Sequence, residues 1–403
     1  MTPLDLGGLS RAEFARLVAL LARQFGSHRL DLAEDAVQDA FAAAVRLWGL
    51  RGEPTDPRAW LYRAARNRMI DQLRRQEPEP LKADLAAVED PGAADDAELR
   101  LILLCCHPAL SSESQVALTL KVAAGFSVPE IGRLLSAGDD AVDQRLVRAK
   151  RALRAAGAEF EISAGEMGRR ATTAREVLYG MFSEGYASVT AESGLRPELC
   201  FEALRLAQVM LTDPATSAPE GEALAALFAF HASRLEARHD QEGEFQPLSV
   251  QDRTRWNRNL IGVGLEHLAR SMGSELTRYH LEAEIASCHA VAARYEETDW
   301  GRIVALYDLL LARWPTPGAR LSRAIAIGEQ DGAAAGLAAL EGLPASAADH
   351  WAYHAAATEL AGRLGRADQA LAHARRGRTL GRAPGVQRHF DRLLRDLAPR
   401  DGA

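Results

Sequence analysis

The apolar positions of this chain recur every three or four residues along almost its whole length, and the elements they predict are helices. Phe14, Leu17, Val18 and Leu21 form one such face, behind Ser10 as a predicted N-cap with Glu13 as its capping-box partner. Val37, Phe41, Ala44, Val45 and Trp48 form the next, on a helix starting near Asp31. Glu34, Asp35, Gln38 and Asp39 lie on its opposite, polar side. Gly49, Gly52, Pro54 and Pro57 mark a loop, after which Trp60, Leu61, Ala64, Ala65 and Leu73 face inward on a third helix. Runs of alternating β-branched residues are nearly absent, so strands are not expected and the fold class is all-α.

The third helix changes the picture through its charge. Residues 57–75 carry Arg58, Arg63, Arg66, Arg68, Arg74 and Arg75 against the one acid Asp71, on a chain whose formal charge is −7. A dense arginine face on an acidic protein is a local device, and phosphate is its natural target. Within the helix Asp71 alone cannot neutralise it. Residues 76–98 reverse the sign, with eight acids, the single base Lys82, and Pro78, Pro80 and Pro91 against a continuous helix, and they read as an acidic tether.

Helical pattern resumes at Leu99. Ser111 and Ser114 open one helix, and Pro129 to Leu135 forms a short second one with proline in its first turn. Ser136 to Gly138 makes a turn. Asp139 or Asp140 then caps a helix with Val142, Leu146, Ala149 and Leu153 on one face and Arg145, Arg148, Lys150, Arg151 and Arg154 around it. This is a helix-turn-helix, whose second helix commonly enters the major groove. Acidic residues Asp139, Asp140 and Asp143 at its start oppose phosphate, which leaves Gln144, Arg145 and Arg148 as the candidates for base contact.

Two stretches together, Asp31-Leu-Ala-Glu-Asp-Ala-Val-Gln-Asp-Ala-Phe41 and Trp60 to Arg75, resemble region 2 of the sigma-70 family, in particular the small extracytoplasmic-function sigma factors. The helix-turn-helix lies at the spacing of sigma region 4. The resemblance implies core RNA polymerase and promoter DNA as partners, with the β′ clamp helices and the β flap as the polymerase elements. It implies polymerase contact by Asp35, Gln38 and Asp39, and recognition and opening of the −10 element by Trp60, Arg63, Arg66, Asn67 and Arg68. Gln144, Arg145 and Arg148 would meet the −35 element. Tyr62 and the 49–57 loop would add to the surface that captures unpaired bases.

The string Leu104-Cys105-Cys106-His107-Pro108-Ala109-Leu110, with Gln115–Leu120 and Gln144–Arg151, is similar to the subgroup whose members carry a long tetratricopeptide-like C-terminal extension. That resemblance implies an extension that takes part in transcription activation, in place of control by a conventional anti-sigma factor. The remaining residues, 158–403, read as helix throughout, at 171–187, 197–211, 220–237, 251–272, 277–295, 299–313, 318–330, 333–341, 349–363, 367–380 and 385–397. Asp331–Leu340 matches Gly365–Ala374 at a 34-residue offset, the period of a tetratricopeptide repeat. A protein partner or an intramolecular contact is expected there.

The expected organisation is therefore residues 1–75 as region 2, 76–98 as linker, 99–157 as region 4 and 158–403 as extension. The Cys-Cys-His-Pro string has poor zinc spacing and reads as a buried helix end. Gln251–Trp256 and Cys288-His289 read as packed helix junctions. Glycine-rich phosphate loops, nucleophile elbows and histidine-rich metal motifs are missing, so no catalytic residue, cofactor or metal is expected. A signal-like segment and a membrane-length apolar run are also missing, and a cytoplasmic location is expected. The alternative function is a DNA-binding regulator with a helical-repeat sensing domain; it leaves Asp31–Phe41 and Trp60–Arg75 unexplained.

Overall fold

A computed structural model describes residues 6–76, 91–135, 137–187, 195–240, 245–273, 275–382 and 384–397. Among them there is no strand, only an isolated bridge between His239 and Phe245. The chain divides into two units, Met1–Met181 with Arg205–Ser217, and Phe182–Leu204 with Ala218–Ala403.

The first unit begins with α1 (Leu6–Phe25), α2 (Leu30–Arg51) and α3 (Pro57–Gln76). Leu17, Val18, Leu21, Ala33, Val37, Leu61, Ala65, Met69 and Leu73 bury the apolar faces of all three. Because α1 starts at Leu6, Ser10 lies inside it and is not its cap. Glu13 instead pairs with Arg16 at 2.8 Å and Arg58 at 3.4 Å. Helix α2 runs past Trp48 and stops at Gly52, whose φ of 82° is the left-handed geometry that glycine adopts without strain. Val45 was expected in the core but is 61% exposed, and Leu50 is 84% exposed.

Most of the expected tether, residues 77–90, lies outside the described residues. Helix resumes at Pro91, earlier than Leu99, because proline is well tolerated in a first turn: α4 spans Pro91–Cys105. Helices α5 (Ser112–Leu118), α6 (Val128–Leu134), α7 (Asp139–Ala155) and the start of α8 (Ala164–Tyr186) follow. Thr119–Ala123 continues α5 as a π-helical turn. Cys105 and Cys106 are fully buried free thiols, and burial pushes Cys106 up to about 12.

The second unit contains α9 (Pro197–Val209) in its first part, α10 (Pro219–Ala232), α11 (Arg258–Arg270), α12 (Arg278–Val291), α13 (Trp300–Arg313), α14 (Pro317–Gln330), α15 (Ala333–Glu341), α16 (Trp351–Arg363), α17 (Ala367–Leu380) and α18 (Pro384–Leu397). Helix α10 is buried on nearly every side, as an all-round apolar helix must be. Its Phe228 stacks on Phe182 at 4.3 Å. The helix expected over 251–272 begins only at Arg258, where the Asn257 side chain caps it by accepting from the Leu260 N–H. The 34-residue offset appears as structure: α14 and α16 start at Pro317 and Trp351, and α15 and α17 at Ala333 and Ala367. Gly328 and Gly336 let α14 and α15 approach so closely that a Cβ on Gly336 would lie 2.5 Å from the Gly328 Cα.

Candidate nucleic-acid interface

Helix α3 presents Arg63, Asn67, Arg68, Arg74 and Arg75 to solvent while Leu61, Ala65, Met69 and Leu73 fix it to the core. Among the described residues, Arg63, Arg68, Arg74 and Arg75 have no carboxylate partner, so their charge is available to a phosphate backbone. Arg66 is half-buried beside them. Trp60 is half-buried and packs edge-on against Trp48 with centroids 5.5 Å apart. Tyr62 was expected to add to the base-capturing surface. It is buried, with its hydroxyl 3.3 Å from the Gln24 side chain, because its position falls on the core side of α3.

On α2, Asp35, Gln38 and Asp39 are exposed together, at the i, i+3 and i+4 spacing of a single helix face. Glu34 departs from that group. It is only 3% exposed and faces Lys150 of α7 at 2.8 Å, without the angle of a directed hydrogen bond. Lys150 also reaches Asp31 at 2.7 Å, and Arg154 donates to the second oxygen of Asp31 at 2.7 Å. Burial raises the Glu34 pKa despite Lys150. Burial alone would lower Lys150, but Glu34 and Asp31 outweigh it and hold the ammonium above its ordinary pKa.

The helix-turn-helix is well formed. Ser127 and Glu130 make a capping box at the start of α6, and Ile131 and Leu134 pack inward. Gly132 allows the turn to fold against α6: a Cβ there would meet the Ala137 carbonyl at 2.8 Å and Asp139 Oδ1 at 2.9 Å. Gly138 occupies the N-cap of α7 and makes no side-chain cap bond, so Asp139 and Asp140 fall within its first turn, where carboxylates favour the helix dipole. Val142, Leu146, Ala149 and Leu153 are buried as the periodicity requires. Gln144 and Arg148 are exposed. Arg145 is held at 2.9 Å by Glu113 of α5, so it meets DNA only by giving up that partner.

The α1–α3 segment and the helix-turn-helix share one unit. Besides the Lys150 cluster, Arg11 of α1 pairs with Glu130 at 2.6 Å and lies 4.6 Å over the Phe126 ring. The charge pattern of each helix is visible in its sequence, but the pairing of Asp31 and Glu34 with Lys150 and Arg154 joins distant segments. Only the complementary spacing of the two pairs could have hinted at it.

Comparison with known proteins agrees with this geometry. Residues 12–79 match the family model described as Sigma-70 region 2, and residues 100–153 match Sigma-70, region 4. Residues 170–272 match a family of unknown function, DUF6596. A protein of Rhizobium meliloti (strain 1021), named Uncharacterized protein R00370, is 37% identical over 357 residues, which cover 85% of this chain and 84% of the relative. No solved structure shows a significant match. Among the described residues no helix is long and apolar enough to cross a membrane.

Proposed function

The chain belongs to the sigma-70 family, as an extracytoplasmic-function-like sigma factor with a C-terminal extension, and from that premise we propose that it binds core RNA polymerase and opens specific promoters. Factors of this family are not enzymes; they initiate transcription by positioning polymerase on DNA. In this chain Asp35, Gln38 and Asp39 meet the β′ clamp helices, and the helix-turn-helix engages the β flap and the −35 element through Gln144, Arg145 and Arg148. Arg63, Arg66, Asn67 and Arg68 take the −10 phosphates and bases, while Trp60 stacks on an unpaired base. The protein acts in the cytoplasm, needs no cofactor or metal, and uses its extension for regulation.

The observation that carries this reading is the opposition of two exposed surfaces on neighbouring helices, acidic on α2 and arginine-rich on α3. A DNA-binding regulator needs only α6 and α7. The acidic face repels DNA and supports a protein partner, which core polymerase supplies. In vitro run-off transcription with core polymerase tests it: promoter-specific product is expected, and its absence on every template from the source genome opposes it.

A further inference from the structure

We propose that the second unit contains a binding site for a small oxyanion, a phosphate or carboxylate group, centred on the Arg234 guanidinium and flanked by Arg238, Tyr186 and His289. Tyr186 ends α8, Arg234 and Arg238 follow α10, and His289 lies near the end of α12. All belong to the second unit.

Three arginines converge there, and only one is fully used. Arg253 donates from Nη1 to the carbonyls of His289 and Ala292, each at 2.7 Å, and from Nη2 to Thr298 Oγ1 at 3.4 Å. It also lies 4.7 Å over the Trp256 ring. This arginine clamps a helix junction. Arg238 donates to the Tyr186 carbonyl and lies 4.1 Å over the Tyr186 ring. Arg234 lies 5.4 Å from the same ring. Among the described residues its guanidinium has neither a hydrogen-bond acceptor nor a carboxylate, and no carboxylate pairs with Arg238 or Arg253 either.

Two carboxylates act from a distance, Glu296 on Arg253 and Glu282 on the Tyr307 hydroxyl that Arg234 also influences, while the histidines beside the arginines are neutral. Burial, then Arg234 and Arg238, push His231 well below its ordinary pKa. Burial, then Arg234 and Arg253, push His289 down to about 3. Both rings are therefore neutral at pH 7. Among the described residues, the Tyr186 hydroxyl and His289 Nδ1 are buried with no hydrogen-bond partner. Unsatisfied buried polar atoms and an unpaired guanidinium beside two others are costly, and such an arrangement is stable when an anion completes it. The guanidinium fork fits an oxyanion through two parallel bonds. Because the orphan atoms are withdrawn from solvent, the occupant is a small group and not a nucleic-acid backbone lying across the surface.

The test uses the full-length protein, with unfolding temperature and calorimetric titration read against inorganic phosphate and against citrate, each at constant ionic strength balanced with chloride. A saturable rise with either is expected, and the responding anion identifies the class. Arg234→Gln should weaken apparent affinity at least tenfold, Arg234→Lys should weaken it less, and Arg375→Gln on the exposed side of α17 should leave it unchanged. Without ligand, Arg234→Gln should unfold at the same temperature as the parent or higher, since a repulsive charge is removed. No saturable response to either anion would overturn the site, as would an equal response in Arg234→Gln. A lower ligand-free unfolding temperature of Arg234→Gln would overturn it too, by showing that Arg234 already has a structural partner.

Discussion

The ammonium of Lys150 on α7 stands 2.8 Å from the buried carboxylate of Glu34 on α2. It ties the helix that carries the proposed polymerase-binding acids to the helix that carries the candidate −35 residues. Glu34 has given up its hydration, and Lys150 is its charged partner. Lys150→Ala should therefore destabilise the first unit by about 3 kcal/mol, because removing one member of a buried pair leaves the other charge uncompensated. Adding Glu34→Leu should recover most of the loss. Urea unfolding of the parent, the single and the double variant measures both. A Lys150→Ala midpoint equal to that of the parent would contradict the pairing.

The sequence made the elements of the first unit readable. The periodicity of Val142, Leu146, Ala149 and Leu153 placed the inner face of α7 correctly, since local spacing alone determines which side of a helix is apolar. The same reasoning put Val45 in the core, and the family resemblance put Tyr62 on the base-capturing surface; Val45 is exposed and Tyr62 is buried. Each lies at the edge of an apolar stripe, where the angle of the neighbouring helix decides burial. Glu34 looked like part of a solvated face because its partner comes from a distant segment. In the second unit, Arg253 and Trp256 behave as the expected helix junction, whereas Arg234, without a carboxylate partner among the described residues, carries no local signal in sequence.

Acid should weaken the second unit. Burial, with Arg234 and Arg253, lowers His289 to about 3, and burial with Arg392 lowers His389 to about 4. Between pH 6.5 and about 4 the unfolded chain binds protons that the folded one refuses, so stability falls as pH falls. Each histidine contributes a slope of up to about 1.4 kcal/mol per pH unit. Urea unfolding at pH 7 and pH 5 should show the loss, and His289→Gln should reduce the slope. An unchanged slope in that variant would contradict the burial of a neutral ring.

The 34-residue repeat depends on close helix contact. A methyl group on Gly336 would collide with the Gly328 backbone, which cannot swing away as a side chain can. Gly336→Ala should cost about 1–3 kcal/mol as an overpacked core site. Gly362→Ala, at a helical position where a Cβ meets nothing within 4 Å, should be neutral or slightly stabilising. Thermal unfolding of the two variants makes the comparison, and equal midpoints would contradict the close crossing.

The arginine face should act in DNA opening without supporting the fold. Arg63 and Arg68 are exposed and unpaired among the described residues. Arg63→Gln with Arg68→Gln should leave the unfolding free energy within about 0.5 kcal/mol of the parent. Open promoter complexes, followed by permanganate reactivity of unpaired thymines, should fall at least tenfold. Undiminished reactivity would remove these residues from the −10 assignment.

The most direct test is run-off transcription by core polymerase with the full-length protein, set beside the Asp35→Arg, Asp39→Arg double variant. The parent should give a promoter-specific transcript. The double variant, folded to the same unfolding temperature, should give little or none and should bind core polymerase more weakly. An equal transcript from the double variant would contradict the polymerase-binding face, and no promoter-specific transcript from the parent would contradict the function itself.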